Sequence, residues 1–327
     1  MKLKFLLMLV FLIAVSFWSL KTGSTSVTWS QIFEFLSLSP QASAILTQLR
    51  GPRILSAALV GGSLGIVGLV FQTLLRNPLA EPYTLGLSGG SSLGAVLALN
   101  LALTPSLFWI PFLSTVGCFT SAFLVLILAR RQLELESRSL ILFGIMISLF
   151  FGALVVTGMS FLSPDKLQGA MFWLLGEFGT TRDQWIYFLG PMMILGAILL
   201  IFKARSLDVL ALGEARGLSL GFSPQKERVQ LIIISTFLTA LGVSIAGLIG
   251  FIGLVTPHLV RRFLKTSRHK ILLLGSGLLG STLLIVADTV GRTVAKNIEV
   301  PAGSIAALFG APILIYFLVG QSHASTD

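Results

Sequence analysis

Residues 50–94 read RGPRILSAALVGGSLGIVGLVFQTLLRNPLAEPYTLGLSGGSSLG, and this stretch decides the fold. Arg50 and Arg53 flank a Gly-Pro pair that reads as a turn. The uncharged run Ile54–Leu75 behind it is long enough to cross a bilayer. It stops at Arg76-Asn77-Pro78. Glu81-Pro82 then opens a second apolar run in which Gly86, Gly90 and Gly94 recur every four residues. On a helix these three share one face and admit a second backbone at short range. A span, a proline-rich hinge and a small-residue span together indicate a packed, polytopic, all-α membrane protein.

Composition extends that reading to the whole chain. Of 327 residues, 54% are hydrophobic and 11% charged, with mean hydropathy +0.93. Soluble domains average about 25% charged residues. The chain therefore reads as a single transmembrane domain, residues 1–327. The net charge of +10 is compatible with a nucleic-acid binder. The Lys/Arg excess of cytoplasmic loops in inner-membrane proteins accounts for it better, so no nucleic acid is expected. The single cysteine, Cys118, lies in an apolar run and can form no intrachain disulfide.

Ten spans follow from the hydropathy pattern. The first is Phe5–Leu20, read as a retained helix and not a signal peptide, because Ser16-Phe17-Trp18-Ser19 is a poor cleavage site. After it, Trp29–Leu36 forms an amphipathic patch suited to the interface. The second and third spans are Ile54–Leu75 and about Tyr83–Leu103. The fourth, fifth and sixth are Leu107–Ala129, Ser139–Leu162 and Trp185–Phe202. Leu167–Phe178, too short to cross, reads as interfacial or re-entrant. The seventh span is Val229–Gly250. A short eighth begins near Gly247, the ninth is Ile271–Val290 and the tenth is Ala302–Gly320. With the N-terminus inside, sixteen Lys/Arg face in and seven face out. That bias puts both termini in the cytoplasm of a bacterial inner membrane.

The missing chemistry narrows the function. There is no G-x-x-x-x-G-K-[ST], so no ATP site, and neither H-E-x-x-H nor G-x-S-x-G occurs. His258, after Pro257, reads as a helix-end residue before a metal ligand or proton carrier, and His269 as a solvated loop residue. No acidic residue falls in the middle of a span. Asp288 lies near a span end, four residues before Arg292, in the favourable order for a helical ion pair. An ion-coupled secondary transporter usually buries an ionisable group as its coupling site. An enzyme needs a nucleophile or ligand set. What remains is a transport subunit with no catalytic residue, metal or cofactor of its own, driven by another protein.

Seven stretches in order make the chain resemble the permeases of iron-siderophore, haem and vitamin B12 ABC importers. They are Arg50-Gly51-Pro52-Arg53 with its span; Arg76 through Pro82 with Leu85 through Gly90; Phe172 through Gly176; Leu212 through Gly221; Gly250 through Arg262; Ala287-Asp288 through Arg292; and Pro301 through Pro312. The resemblance covers nearly everything from Arg50 onward. It implies a homodimer of ten-helix subunits, each built of two inverted halves. Two ATPase subunits would dock inside and a periplasmic binding protein outside, with the substrate passing along the dimer axis. The substrate implied is a metal chelate, a ferric siderophore first, then cobalamin or haem.

The resemblance also implies roles. The inner loop 203–228 would couple to the ATPase through Gly213, Glu214, Ala215, Arg216, Gly217, Leu220 and Gly221. By itself the loop reads better as an ordinary solvated segment. Asn77 and Leu79 would lie at an inner gate; otherwise they cap a helix end. Arg50, Arg53 and Arg292 would meet acidic residues of the binding protein; otherwise they are interfacial anchors whose stems lie along the membrane.

Overall fold

The computed structural model describes residues 1–23, 29, 44–103, 106–130, 137–179, 184–219, 221–294 and 299–323. The Trp29–Leu36 patch beyond Trp29, the charged loop 131–136 and Leu220 lie outside the described residues. Among the described residues there is no strand, and thirteen α-helices follow in order. They are α1 Lys2–Lys21, α2 Gly51–Leu74, α3 Leu87–Asn100, α4 Ser106–Arg130, α5 Ser137–Met159, α6 Pro164–Leu175, α7 Ile186–Phe202, α8 Ala204–Leu212, α9 Glu214–Ser219, α10 Pro224–Ala246, α11 Ile252–Leu264, α12 His269–Gly291 and α13 Ala302–His323.

The ten expected spans all appear as helices. Six are long and apolar enough to cross a membrane, and α7 with α8 makes a seventh if the pair, bent by 45°, counts as one. The remaining three, α3, α11 and the apolar Ala302–Tyr316 of α13, are shorter. Several boundaries differ from the sequence reading, the seventh span for example running Pro224–Ala246, and three of the differences have a local cause. Gly51-Pro52 is no turn: a π-helical stretch, Ile45–Arg50, runs straight into α2, giving one apolar segment from Ile45 to Leu74. Proline in a first helical turn removes a donor that has no partner there anyway. The third span starts four residues late, at Leu87, because Gly86 is left-handed (φ 77°) and closes a turn. The eighth starts at Ile252, after a break at Gly247 (φ 69°) and Phe251 (φ 66°). The expected re-entrant segment is the short α6, whose Trp173 is buried.

The helix α2 is the centre of the fold. Its apolar window is 78% buried inside the chain, against 17% for α1. It packs on α12, α10, α11 and α7. Glycines set these distances. A methyl group on Gly61 would strike the carbonyl of Gly280 in α12, and one on Gly68 the carbonyl of Gly253 in α11. The sequence-predicted glycine face of α3 behaves likewise. Gly90 and Gly94 meet the backbone of Gly117 and Leu113 of α4, while Gly86, which precedes the helix and was expected on the same face, meets the Ser121 side chain. Backbones that approach this closely gain packing contacts that lipid does not supply. The opposite surfaces are apolar and open, as on α5, where Leu142, Ile145, Met146, Leu149 and Phe150 are exposed.

Candidate transport site

The residues singled out above gather at the two ends of the helical bundle. At one end, the first turn of α2 meets the last turn of α12. Arg53 holds Asp288 through two nitrogens: Nη2 lies 2.8 Å from Oδ1, and Nε donates to Oδ1 at 2.9 Å. Its Nη1 reaches Glu299 Oε2 at 2.9 Å. Arg292 lies farther from Asp288, at 3.6 Å, and donates to the backbone oxygen of Ser19 at 2.7 Å. Arg50 donates to the backbone oxygens of Leu20 and Lys21.

Arg50 and Arg292 are buried, and all three arginines donate to protein oxygens. Among the described residues, Arg53 and Arg292 share Asp288, and Arg53 also holds Glu299. The sequence-predicted pair Asp288–Arg292 exists, but Arg53 is the closer partner of Asp288. Burial pushes the Arg292 guanidinium down to about 10; Asp288 opposes that effect, and Arg53 and Arg50 add to it. The sequence reading misses Glu299, although an acid in the polar turn before Pro301, on the same side as three arginines, is a usable signal.

At the other end α2 finishes in the turn 75–80. Asn77 Oδ1 accepts from the backbone N–H of Leu79 at 2.9 Å, and the Asn77 carbonyl accepts from Ala80 N–H. This side-chain turn fixes the chain direction where Arg76 takes a left-handed conformation, φ 46°. Leu79 is exposed at its tip. His258 is not at a helix end, as the sequence suggested, but in the middle of α11, and its Nε2 donates to the carbonyl of Pro78 at 2.8 Å, tying the turn to that helix. Two further links bind the same segment to α11 and its approach. Tyr83 Oη accepts from the backbone N–H of Ile249 at 3.1 Å, and the Glu81 carboxylate accepts from that of Phe251. Burial raises the Glu81 carboxyl, and that hydrogen bond lowers it again.

The segment read as a coupling loop folds as two short helices. The first, α8, leaves α7 at a bend of 45° and is fixed at its start by Lys203 Nζ on Glu227 Oε2, 3.0 Å. Gly213 (φ 105°) separates it from α9, and Gly221 (φ 77°) follows α9. Both conformations favour glycine. Gly217 is not at a turn, as the sequence suggested, but buried within α9, 3.4 Å from Pro224 Cγ if it carried a Cβ. Arg216 is exposed, and Glu214 and Ala215 lie on the same helix. His269, expected in solvent, is buried and bonded to Asp208 of α8. Among the described residues no cluster of His, Cys, Asp or Glu is suited to a metal ion.

Comparison with known proteins agrees with this architecture. The FecCD transport family matches residues 9–320. The chain is 34% identical to the iron-uptake system permease protein FeuC of Bacillus subtilis (strain 168), over 97% of each chain. It is also 34% identical to the vitamin B12 import system permease protein BtuC of Vibrio vulnificus (strain CMCP6), over 97% of this chain and 94% of the relative. A solved inward-facing structure, described as a metal-chelate type ABC transporter, superposes with a TM-score of 0.85 at 30% identity, over 97% of this chain and 98% of that one. The conclusion is that the chain belongs to the FecCD transport family and is a membrane-embedded permease of the ABC importer class.

Proposed function

We propose that the chain is the transmembrane subunit of an importer that takes a metal chelate, a ferric siderophore first, from a periplasmic binding protein to the cytoplasm. The observation that carries this reading is the likeness, over nearly the whole chain, to the metal-chelate type transporter. In this reading two copies form the pathway, and two separate ATPase subunits drive it. The Arg76 end faces the cytoplasm, as the sixteen-to-seven Lys/Arg bias supports.

The parts then take these roles. The helices α8 and α9, with Gly213, Glu214, Ala215, Arg216, Gly217, Leu220 and Gly221, receive the ATPase. The Asn77–Leu79 turn borders the inner gate. The group of Arg50, Arg53 and Arg292, with Glu299 exposed beside it, lies at the outer end and receives acidic groups of the binding protein. The iron-uptake and vitamin B12 relatives are equally similar to the chain, so cobalamin is the second substrate to test. The experiment is uptake into proteoliposomes holding the permease, its ATPase and its binding protein, with a radiolabelled ferric hydroxamate and radiolabelled cobalamin offered in parallel. ATP-dependent accumulation of the ferric chelate supports the reading. Accumulation of cobalamin alone would replace the substrate but keep the transporter class.

A further inference from the structure

His269 joins three elements by hydrogen bonds. It is the first residue of α12. Its Nδ1 lies 2.6 Å from Asp208 Oδ1 on α8. Its Nε2 lies 3.1 Å from Thr73 Oγ1 in the last turn of α2. That hydroxyl is also 2.9 Å from the carbonyl of Leu69. The ring keeps both bonds in either charge state. When it is neutral, Nδ1–H donates to Asp208 and the Thr73 hydroxyl donates to Nε2. When it is charged, both nitrogens donate and the hydroxyl turns to Leu69. His269 and Thr73 are buried, so their bond is not readily replaced by water, whereas Asp208, at the α8 end, is 46% exposed.

The link leads straight to the turn at the end of α2. The backbone N–H of Arg76 bonds to the carbonyl of Thr73, and that of Asn77 to the carbonyl of Gln72. One of these two bonds is made by the residue His269 holds, and the other by its neighbour. The helix α8 also packs directly on α2 and α12, and it is joined through the chain to α7 and through Lys203 and Glu227 to α10; among these attachments the His269 link is the hydrogen-bonded one to the end of α2.

We propose that Asp208, His269 and Thr73 form a strut that passes displacement of α8 to the end of α2, and so to the Asn77–Leu79 turn. The three are positioning residues, and the proposal rests on the reading of α8 and α9 as the ATPase contact. A purely structural account of Asp208 exists. Its Oδ1 also accepts from the backbone N–H of His269 at 3.1 Å, at a helix start where Arg268 supplies no side-chain cap. A cap needs only that backbone N–H. It gives no reason for the imidazole to bridge to Thr73.

This difference makes the test. His269→Ala keeps the backbone cap and deletes the strut. Thr73→Val keeps the side-chain shape and removes only the hydroxyl, and Thr73→Ser restores it. The assembled transporter, with ATPase and binding protein in nanodiscs, is probed by hydrogen exchange of residues 75–80 and 204–219, with and without ATP plus vanadate. In the wild type both segments change together. In His269→Ala and Thr73→Val the response at 204–219 persists, the response at 75–80 is lost, and uptake per ATP hydrolysed falls by about fivefold, the order of factor one lost hydrogen bond carries. Thr73→Ser recovers both. If His269→Ala does not assemble, Thr73→Val decides alone. A wild-type response at 75–80 in Thr73→Val overturns the strut. Silence of 204–219 in the wild type instead overturns the coupling assignment, and the strut falls with it.

Discussion

Arg53 and Asp288 form an ion pair 2.8 Å long between the first turn of α2 and the last turn of α12, with side chains 11% and 1% exposed. Removing one partner of such a pair strands the other charge, at a cost of about 3–5 kcal/mol. Asp288→Asn is therefore expected to lower the thermal unfolding midpoint in detergent sharply. Glu299, 59% exposed in its own pair with Arg53, is a surface partner. Glu299→Gln is expected to cost no more than about 1 kcal/mol. Equal losses for the two variants would show that burial does not set the value of this network.

Glu299 also occupies Arg53 Nη1. If the arginine cluster receives an acidic binding protein, Glu299→Gln makes this end more positive by one charge. Association measured by stopped flow should become faster, with a steeper dependence on salt, because exposed charges act mainly on the encounter rate. An unchanged rate and salt slope would take the docking role from this cluster.

The helices α3 and α4 touch backbone to backbone at Gly90 and Gly117. Adding one methyl, Gly90→Ala, must push the helices apart and is expected to cost about 1–3 kcal/mol. At Gly152 a methyl group would meet no atom within 4 Å, so Gly152→Ala is the internal control and should leave the midpoint unchanged. The comparison is made by thermal unfolding of the purified variants.

Gly217 has room for a methyl but not for a ring: Pro224 Cγ and Val209 Cγ1 lie 3.4 and 3.5 Å from its Cβ position. Gly217→Ala is expected to transport normally. Gly217→Trp should lift α9 from its neighbours and reduce both ATPase assembly and uptake, with membrane expression retained. Uptake by the Trp variant at the wild-type level would remove α9 from the coupling surface.

The helices were legible in the sequence because span length and hydropathy answer to one constraint, the bilayer. The glycine face of α3 was legible for a similar reason, since its spacing is local. What escaped the reading was set between distant segments. Gly51-Pro52 looks like a turn until the π-helical stretch before it is seen to continue into α2. His269 sits in a basic loop in the sequence, yet packing of α8 against α12 buries it beside Asp208, 61 residues away. Local spacing pairs Asp288 with Arg292 because both lie on one stretch of helix, whereas the closer partner, Arg53, is 235 residues away. Spacing shows which residues could meet within a helix, and only the tertiary fold shows which do.

The central claim is that this chain transports without an energy source of its own. The most direct measurement is chelate uptake into proteoliposomes containing the permease with its ATPase and binding protein, compared with vesicles containing the permease alone under an imposed proton gradient. The expected result is uptake that requires ATP on the ATPase side, resists a protonophore, and is absent from the permease alone. Uptake by the isolated permease, driven by the gradient and abolished by the protonophore, would contradict the account and make the chain a secondary transporter.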